Sequence, residues 1–365
     1  FYGKDASGQS SGYEILLIPY VGVGLVVLVL AVTFFFSKLP DIKSEDEFHL
    51  DDKDAPGSAP LPVPNRGTAM FLLWLNVIVL SFAVAMIISA VVAIPAVSAK
   101  IAGTLGKTLA EKETYENQAL LIATLIFGGI GTAVFLGKQS RITNHSIWSH
   151  PHFSGATLAQ FFYVAAQCGI FAYFINYMTK EIPAFDASWL TGSFKEWFET
   201  HANGTVGLSD AGASKLASYA FVCFLTGRFI GAMLLKKFPA HKVLAVFAIL
   251  AAVTCGIVFL KIGWVSGIAV FLSYLFMSIM FPTIFSLGIH GLGGRAKKAS
   301  SFIVMAIMGG AIMPKFMGHM GDLYGMSHAF FVPGLCFLLV MSYGLFWSKL
   351  SGHEGVVGVD GTKGH

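Results

Sequence analysis

Gln160, Tyr163 and Gln167 stand at i, i+3 and i+7 within the apolar run 155–179, so a helix sets all three on one face. Two primary amides are costly in hydrocarbon unless they bond to a neighbour or face water. Amides and phenols direct hydrogen bonds to hydroxyls without bringing charge, which suits a neutral polyol or sugar. The same groups can instead tie helices together. Asn176 extends the polar set along this run, and a later run supplies Phe281, Thr283 and Ser286 around Pro282. Proline removes a backbone hydrogen bond and kinks a helix. Irregular backbone at membrane depth is tolerated only against protein or a water-filled cavity.

Arg228 lies in the apolar stretch Gly227-Arg-Phe-Ile-Gly231, eight residues before Lys236. That separation is about 12 Å along a helix. A central guanidinium costs about 2.5–3.5 kcal/mol on insertion scales, so it needs a partner or water. It reads as a gate or structural charge on a transport path, or as an arginine snorkelling to the interface. Gly227 and Gly231 have the GxxxG spacing that lets helices approach closely. Gly309, Gly310 and Pro314 mark a further apolar run as one built to bend.

Several classes of chemistry are missing. No GxxxxGK[ST] or GxGxxG run follows a plausible strand, so neither phosphate nor dinucleotide binding is indicated. Cys168, Cys223, Cys255 and Cys336 are scattered through apolar runs without disulfide or zinc spacing. His145, His150 and His152 read as solvated loop histidines, and no metal site or cofactor is expected. No Asp or Glu sits centrally in an apolar run, although a coupled transporter normally needs one to take up H+ or Na+.

Positioning these residues is the work of membrane helices. The chain is 55% hydrophobic and 12% charged, against about 25% charged in soluble domains. Nine segments reach spanning length: 13–36, 68–97, 119–137, 155–179, 214–235, 242–261, 264–289, 299–318 and 327–347. The short loops with Lys236, Lys237 and Lys242, and with Arg295, Lys297 and Lys298, set the cytoplasmic side, which puts the C-terminus inside. The net charge of +4 belongs to those loops and does not suggest nucleic acid. Residues 38–67 read as an acidic, Pro-rich linker. Residues 180–213, with Trp189, Trp197 and Phe198, read as a surface-lying amphipathic helix or an ordinary aromatic loop. The start at Phe1, without Met or a signal pattern, reads as that of a fragment.

Several runs in order resemble the fucose–proton symporter family of the major facilitator superfamily, which includes fucose permeases and glucose/galactose transporters. They are Leu158-Ala-Gln-Phe-Phe-Tyr-Val-Ala-Ala-Gln167, Gly227-Arg-Phe-Ile-Gly231 with His241-Lys-Val-Leu, Phe281-Pro-Thr-Ile-Phe-Ser-Leu-Gly288, and Ser300-Ser-Phe-Ile-Val-Met305. Residues 155–347 carry the resemblance, and the end of the first span, Phe34-Phe-Phe-Ser-Lys-Leu-Pro-Asp41, is similar to the end of the family's sixth helix.

The resemblance implies an all-α polytopic major facilitator fold in part, with helix six and helices seven to twelve present. Helices one to five, which carry the coupling carboxylates, are then absent. It divides the chain into helix six (1–37), the linker (38–67), an inserted transmembrane hairpin (68–150), a six-helix transporter domain (151–350) and a tail (351–365). Gln160, Tyr163, Gln167, Asn176, Phe281, Thr283 and Ser286 would line the sugar, and Arg228 would serve the gate. Family members often carry Gln-Tyr before the proline where this chain has Met280-Phe281, which removes one polar sugar contact.

The expectation is a monomeric secondary transporter of the inner membrane. It imports a neutral monosaccharide such as glucose, galactose or fucose with a cation, H+ or Na+, by alternating access. Nothing is chemically transformed, so no enzymatic activity is expected. The rival expectations are a membrane scaffold or sensor without transport, and a transporter for a non-sugar polar solute.

Overall fold

A run of some 20 apolar residues can satisfy its backbone in lipid only by forming a helix, and helices dominate the described chain. The computed structural model describes residues 66–92, 147–183, 197–200, 206–292 and 295–351, with isolated positions from 21 to 33 and at 126 and 130. The chain divides into two compact units, Phe1–Asp51 and Asp52–His365. In the first unit the described positions are helical. Everything below concerns the second.

Its helices are α1 (Arg66–Val92), α2 (Pro151–Lys180), α3 (Asp210–Leu235), α4 (Ala240–Phe259), α5 (Trp264–Met277), α6 (Met280–Ile289), α7 (Ala296–Met305), α8 (Gly309–Tyr324), α9 (Met326–Ala329) and α10 (Phe331–Ser351). Seven membrane-capable spans result among the described residues, because α5 with α6, α7 with α8, and α9 with α10 each make one. The expected spans at 13–36 and 119–137 lie largely outside the described residues.

One expectation is corrected, and another falls mostly outside the described residues: 180–213, read as an amphipathic helix or an aromatic loop. Phe198–Thr200 pairs antiparallel with Val206–Leu208, and Ser209 donates through N and Oγ, each at 2.9 Å, to the Trp197 carbonyl. Ser209 Oγ in turn accepts from Gly212 N, capping α3. His152 is not a solvated loop residue but the buried second residue of α2. His145 lies outside the described residues.

Small residues set the helix contacts, as they must where hydrocarbon offers no hydrophobic drive between helices. Side chains at Gly227 and Gly231 of α3 would collide with the Leu275 carbonyl and Ile279. The GxxxG expectation therefore holds, and α3 seats against the break between α5 and α6. Gly309 and Gly310 of α8 press on the Phe161 carbonyl and Cys168 of α2.

The end of the bundle carrying Lys236, Lys237 and Arg295 is closed by Trp347. Its indole stacks on His241 at 5.4 Å between ring centres and donates to the Leu287 carbonyl at 3.2 Å. His152 Nε2 lies 3.0 Å from the His290 carbonyl, and Tyr343 donates to the His152 carbonyl at 3.2 Å. At the opposite end Lys261 pairs with Glu181 at 3.2 Å, and Ser327 N donates to the same carboxylate at 3.4 Å. Burial pushes the Glu181 carboxyl up, but hydrogen bonds from Lys261 and Ser327 outweigh it and hold it below its ordinary value. Gly325, at φ 91°, passes so close to this pair that a side chain would crowd it.

α1, from the expected inserted hairpin, packs beside the bundle. Asn76 Nδ2 donates to the Ser154 carbonyl at 2.8 Å, and Ala83 and Met86 bury against Phe161, Ala306 and Ile312.

Candidate functional site

The site is built where α2 crosses the α5–α6 break. Pro282 has no N–H for the i−4 carbonyl, and the span is interrupted at Ser278 and Ile279. A helix end leaves its last carbonyls without intrahelical partners. Tyr163, fully buried, donates to one of them, Met277 O, at 2.9 Å. Its ring meets Phe281 edge-on at 6.4 Å. Tyr163 thus braces the broken helix from α2.

Gln160, one turn away on the same face, is fully buried, and neither its Oε1 nor its Nε2 has a hydrogen-bond partner. Buried side-chain amides are almost always bonded. An idle amide in a packed interior calls for a physical explanation. Gln167 continues the stripe and is half-buried.

The remaining predicted residues do not all join them. Asn176 is half-buried with an unpartnered Oδ1, but at 100° per residue it lies on the far side of α2 from Gln160. Thr283 is buried and donates back to the Ile279 carbonyl at 2.7 Å, which stabilises the turn after the break. Ser286 is exposed beside Pro282 and donates to the Thr283 carbonyl at 3.0 Å. Arg228 is exposed, its guanidinium 5.7 Å from the Phe224 ring. It stands seven residues inside the end of α3, about 10 Å.

Gly309, Gly310 and Pro314 were expected to confer flexibility. Both glycines lie in close contact with α2, and a 3-10 turn at Ala306–Met308 precedes them. Pro314 lies inside α8, where its carbonyl accepts from Tyr173 at 2.9 Å.

Sequence reading ended one span too early: it stops at 318, but the helix runs on to Tyr324. The signal was Gly325, since a glycine with positive φ is the usual stop for a helix. A crevice of 460 Å³ between α1, α2 and α10 is lined by Phe71, Leu158, Phe162, Leu339 and Phe346. It opens on the opposite face of α2 from Gln160, and its chemistry fits hydrocarbon.

No protein-family model matches the chain. It is 39% identical over 203 residues to the L-fucose-proton symporter of Escherichia coli (strain K12), covering 54% of this chain and 40% of that protein. It is 31% identical over 204 residues to the glucose/galactose transporter of Brucella abortus biovar 1 (strain 9-941), covering 56% and 44%. The putative glucose/galactose transporter of Helicobacter pylori (strain ATCC 700392 / 26695) is 30% identical over 208 residues, with 56% and 45% covered. The chain thus spans less than half the length of these curated relatives. Among solved structures, a major facilitator superfamily transporter, FucP, in the outward conformation aligns with a TM-score of 0.48 and 32% identity, over 67% of this chain and 60% of that one. The chain is a multi-pass membrane protein homologous, over about half its length, to proteins named L-fucose-proton symporter and glucose/galactose transporter.

Proposed function

We propose that the protein is a secondary transporter that moves a hexose-sized monosaccharide with a proton by alternating access, and that residues 151–351 form one six-helix wall of its path. The observation that carries this is the idle, fully buried Gln160 amide beside the Tyr163–Phe281 pair at a broken helix. An amide supplies both donor and acceptor to vicinal hydroxyls, and an aromatic ring offers an apolar face to a sugar. Gln167 extends the wall, and Thr283 and Ser286 border it, while Asn176 points away from it. Tyr163 acts chiefly by holding the break open, and Arg228 supplies a fixed charge toward the basic end. Proton coupling follows the name of the E. coli relative, and its carboxylate would come from outside residues 151–351. The basic end, and with it the C-terminus, faces the cytoplasm of an inner membrane.

The test is uptake of labelled glucose, galactose and fucose into proteoliposomes holding the protein, with and without an inward proton gradient. Gradient-driven accumulation of any one supports the reading. If none accumulates, transport is refuted and a scaffold or sensor role takes its place.

A further inference from the structure

Helices α1 and α10 both pack on α2, and a crevice of 460 Å³ is left where the three face one another. Its walls are one stripe of each helix. Within 68–75 of α1, 155–162 of α2 and 339–346 of α10, the lining residues repeat at i, i+3, i+4 and i+7. The hydroxyls on the α10 wall are already bonded inside the protein. Ser342 Oγ donates to the Leu339 carbonyl at 2.7 Å, and Tyr343 donates to the His152 carbonyl at 3.2 Å. What the crevice offers along its length is hydrocarbon, which suits an acyl chain.

One end differs. Lys349 lines it, ten residues along α10 from Leu339 at the deep end, about 15 Å. The Lys349 ammonium lies 5.7 Å from the centre of the Phe346 ring, a contact that helps hold a cation in place. α1 begins at the same end, with Thr68 on the wall and Arg66 as its first residue. Among the described residues no acid lines the crevice, and no carboxylate pairs with Lys349. A slot that is apolar within and cationic at its mouth has the polarity of an anionic phospholipid. Basic pockets between membrane helices are known seats of such headgroups. A soluble phosphate would meet the lysine and leave the apolar length unfilled. A zwitterionic headgroup would bring its own ammonium beside Lys349.

We propose that the crevice holds one anionic phospholipid, its acyl chain laid between α1 and α10 and its phosphate at Lys349. The lipid fills the gap that α1 leaves against α10. It thereby seats α1 on the bundle, together with the Asn76 bond to the Ser154 carbonyl. The site lies on the other face of α2 from Gln160 and needs no transported solute.

Native mass spectrometry of the whole chain reads the retained lipid directly. The protein is released from micelles holding equal amounts of phosphatidylglycerol and phosphatidylcholine with the same acyl chains. Phosphatidylglycerol is retained ahead of phosphatidylcholine, and excess sn-glycerol 3-phosphate does not displace it. Lys349→Gln lowers the phosphatidylglycerol-to-phosphatidylcholine ratio by about fivefold, the worth of one lysine beside an anionic headgroup. Lys349→Arg restores it. Leu339 is 47% exposed, so Leu339→Trp leaves the fold intact, fills the deep end and lowers retention of both lipids. Added phosphatidylglycerol raises Tm in the wild type and not in Leu339→Trp. Equal retention of the two lipids by the wild type overturns the proposal, because the crevice is then blind to the headgroup. An unchanged ratio in Lys349→Gln overturns the phosphate contact. Undiminished retention in Leu339→Trp, or displacement by glycerol phosphate, overturns the acyl seat and leaves a surface anion site. A wild-type Tm that ignores phosphatidylglycerol overturns the seating of α1.

Discussion

Replacing Gln160 by Leu should make the empty protein more stable and the transporter worse. Both amide atoms are buried and without partners. Burying an unpartnered amide costs about 1–3 kcal/mol in mutational series. Leucine fills a similar volume and carries no polar atom, so little of the gain returns as strain. For a domain of 150–250 residues each kcal/mol moves Tm by about 2–4 °C. The detergent-solubilised Gln160→Leu protein should therefore melt higher by roughly 2–12 °C. A bound sugar would meet leucine where it had a donor and an acceptor, leaving a hydroxyl unpaired. That lowers kcat/KM for uptake by about tenfold to a hundredfold. The assays are thermal unfolding without sugar and initial uptake rates in proteoliposomes. A lower Tm would show that the amide is satisfied in the empty protein, which refutes the premise. An unchanged uptake rate would refute the assignment of Gln160 to the sugar.

Further expectations follow from the same contacts. Tyr163→Phe strips the donor from the Met277 carbonyl and should cost about 1–3 kcal/mol of stability, read by thermal unfolding. An unchanged Tm would mean the carbonyl finds another donor. Gly227→Leu drives a side chain into the Leu275 carbonyl, so α3 must part from α5. Loss of folded monodisperse protein, or a Tm several degrees lower, is expected, and wild-type behaviour would disprove the close approach. Glu181 titrates below its ordinary value. Its stabilising contribution is therefore present above the unfolded pKa and is lost as pH falls through the lower folded pKa. Because Lys261 is 44% exposed, the effect is under about 1 kcal/mol. It should vanish in Glu181→Gln, for which the acid-side drop in Tm between pH 5 and pH 3 becomes smaller; an equal drop in both proteins counts against the pairing.

The sequence by itself determined the helical membrane character, because long uncharged runs leave lipid-exposed backbone no other choice. It also marked the stripe Gln160–Tyr163–Gln167, since helical periodicity is a local property. The break at Pro282 and the close approach at Gly227 and Gly231 were equally legible, because each depends on what a residue lacks: an N–H or a Cβ. What each polar group does was decided only by the tertiary structure. Tyr163 and Thr283 bond to carbonyls while Gln160 bonds to nothing described, and that difference lies in which helix crosses which. His152 looked solvated until α6 and α10 closed over it. A window over hydropathy sees the cost of a charge but not the direction in which it points, and direction is fixed only when helices pack.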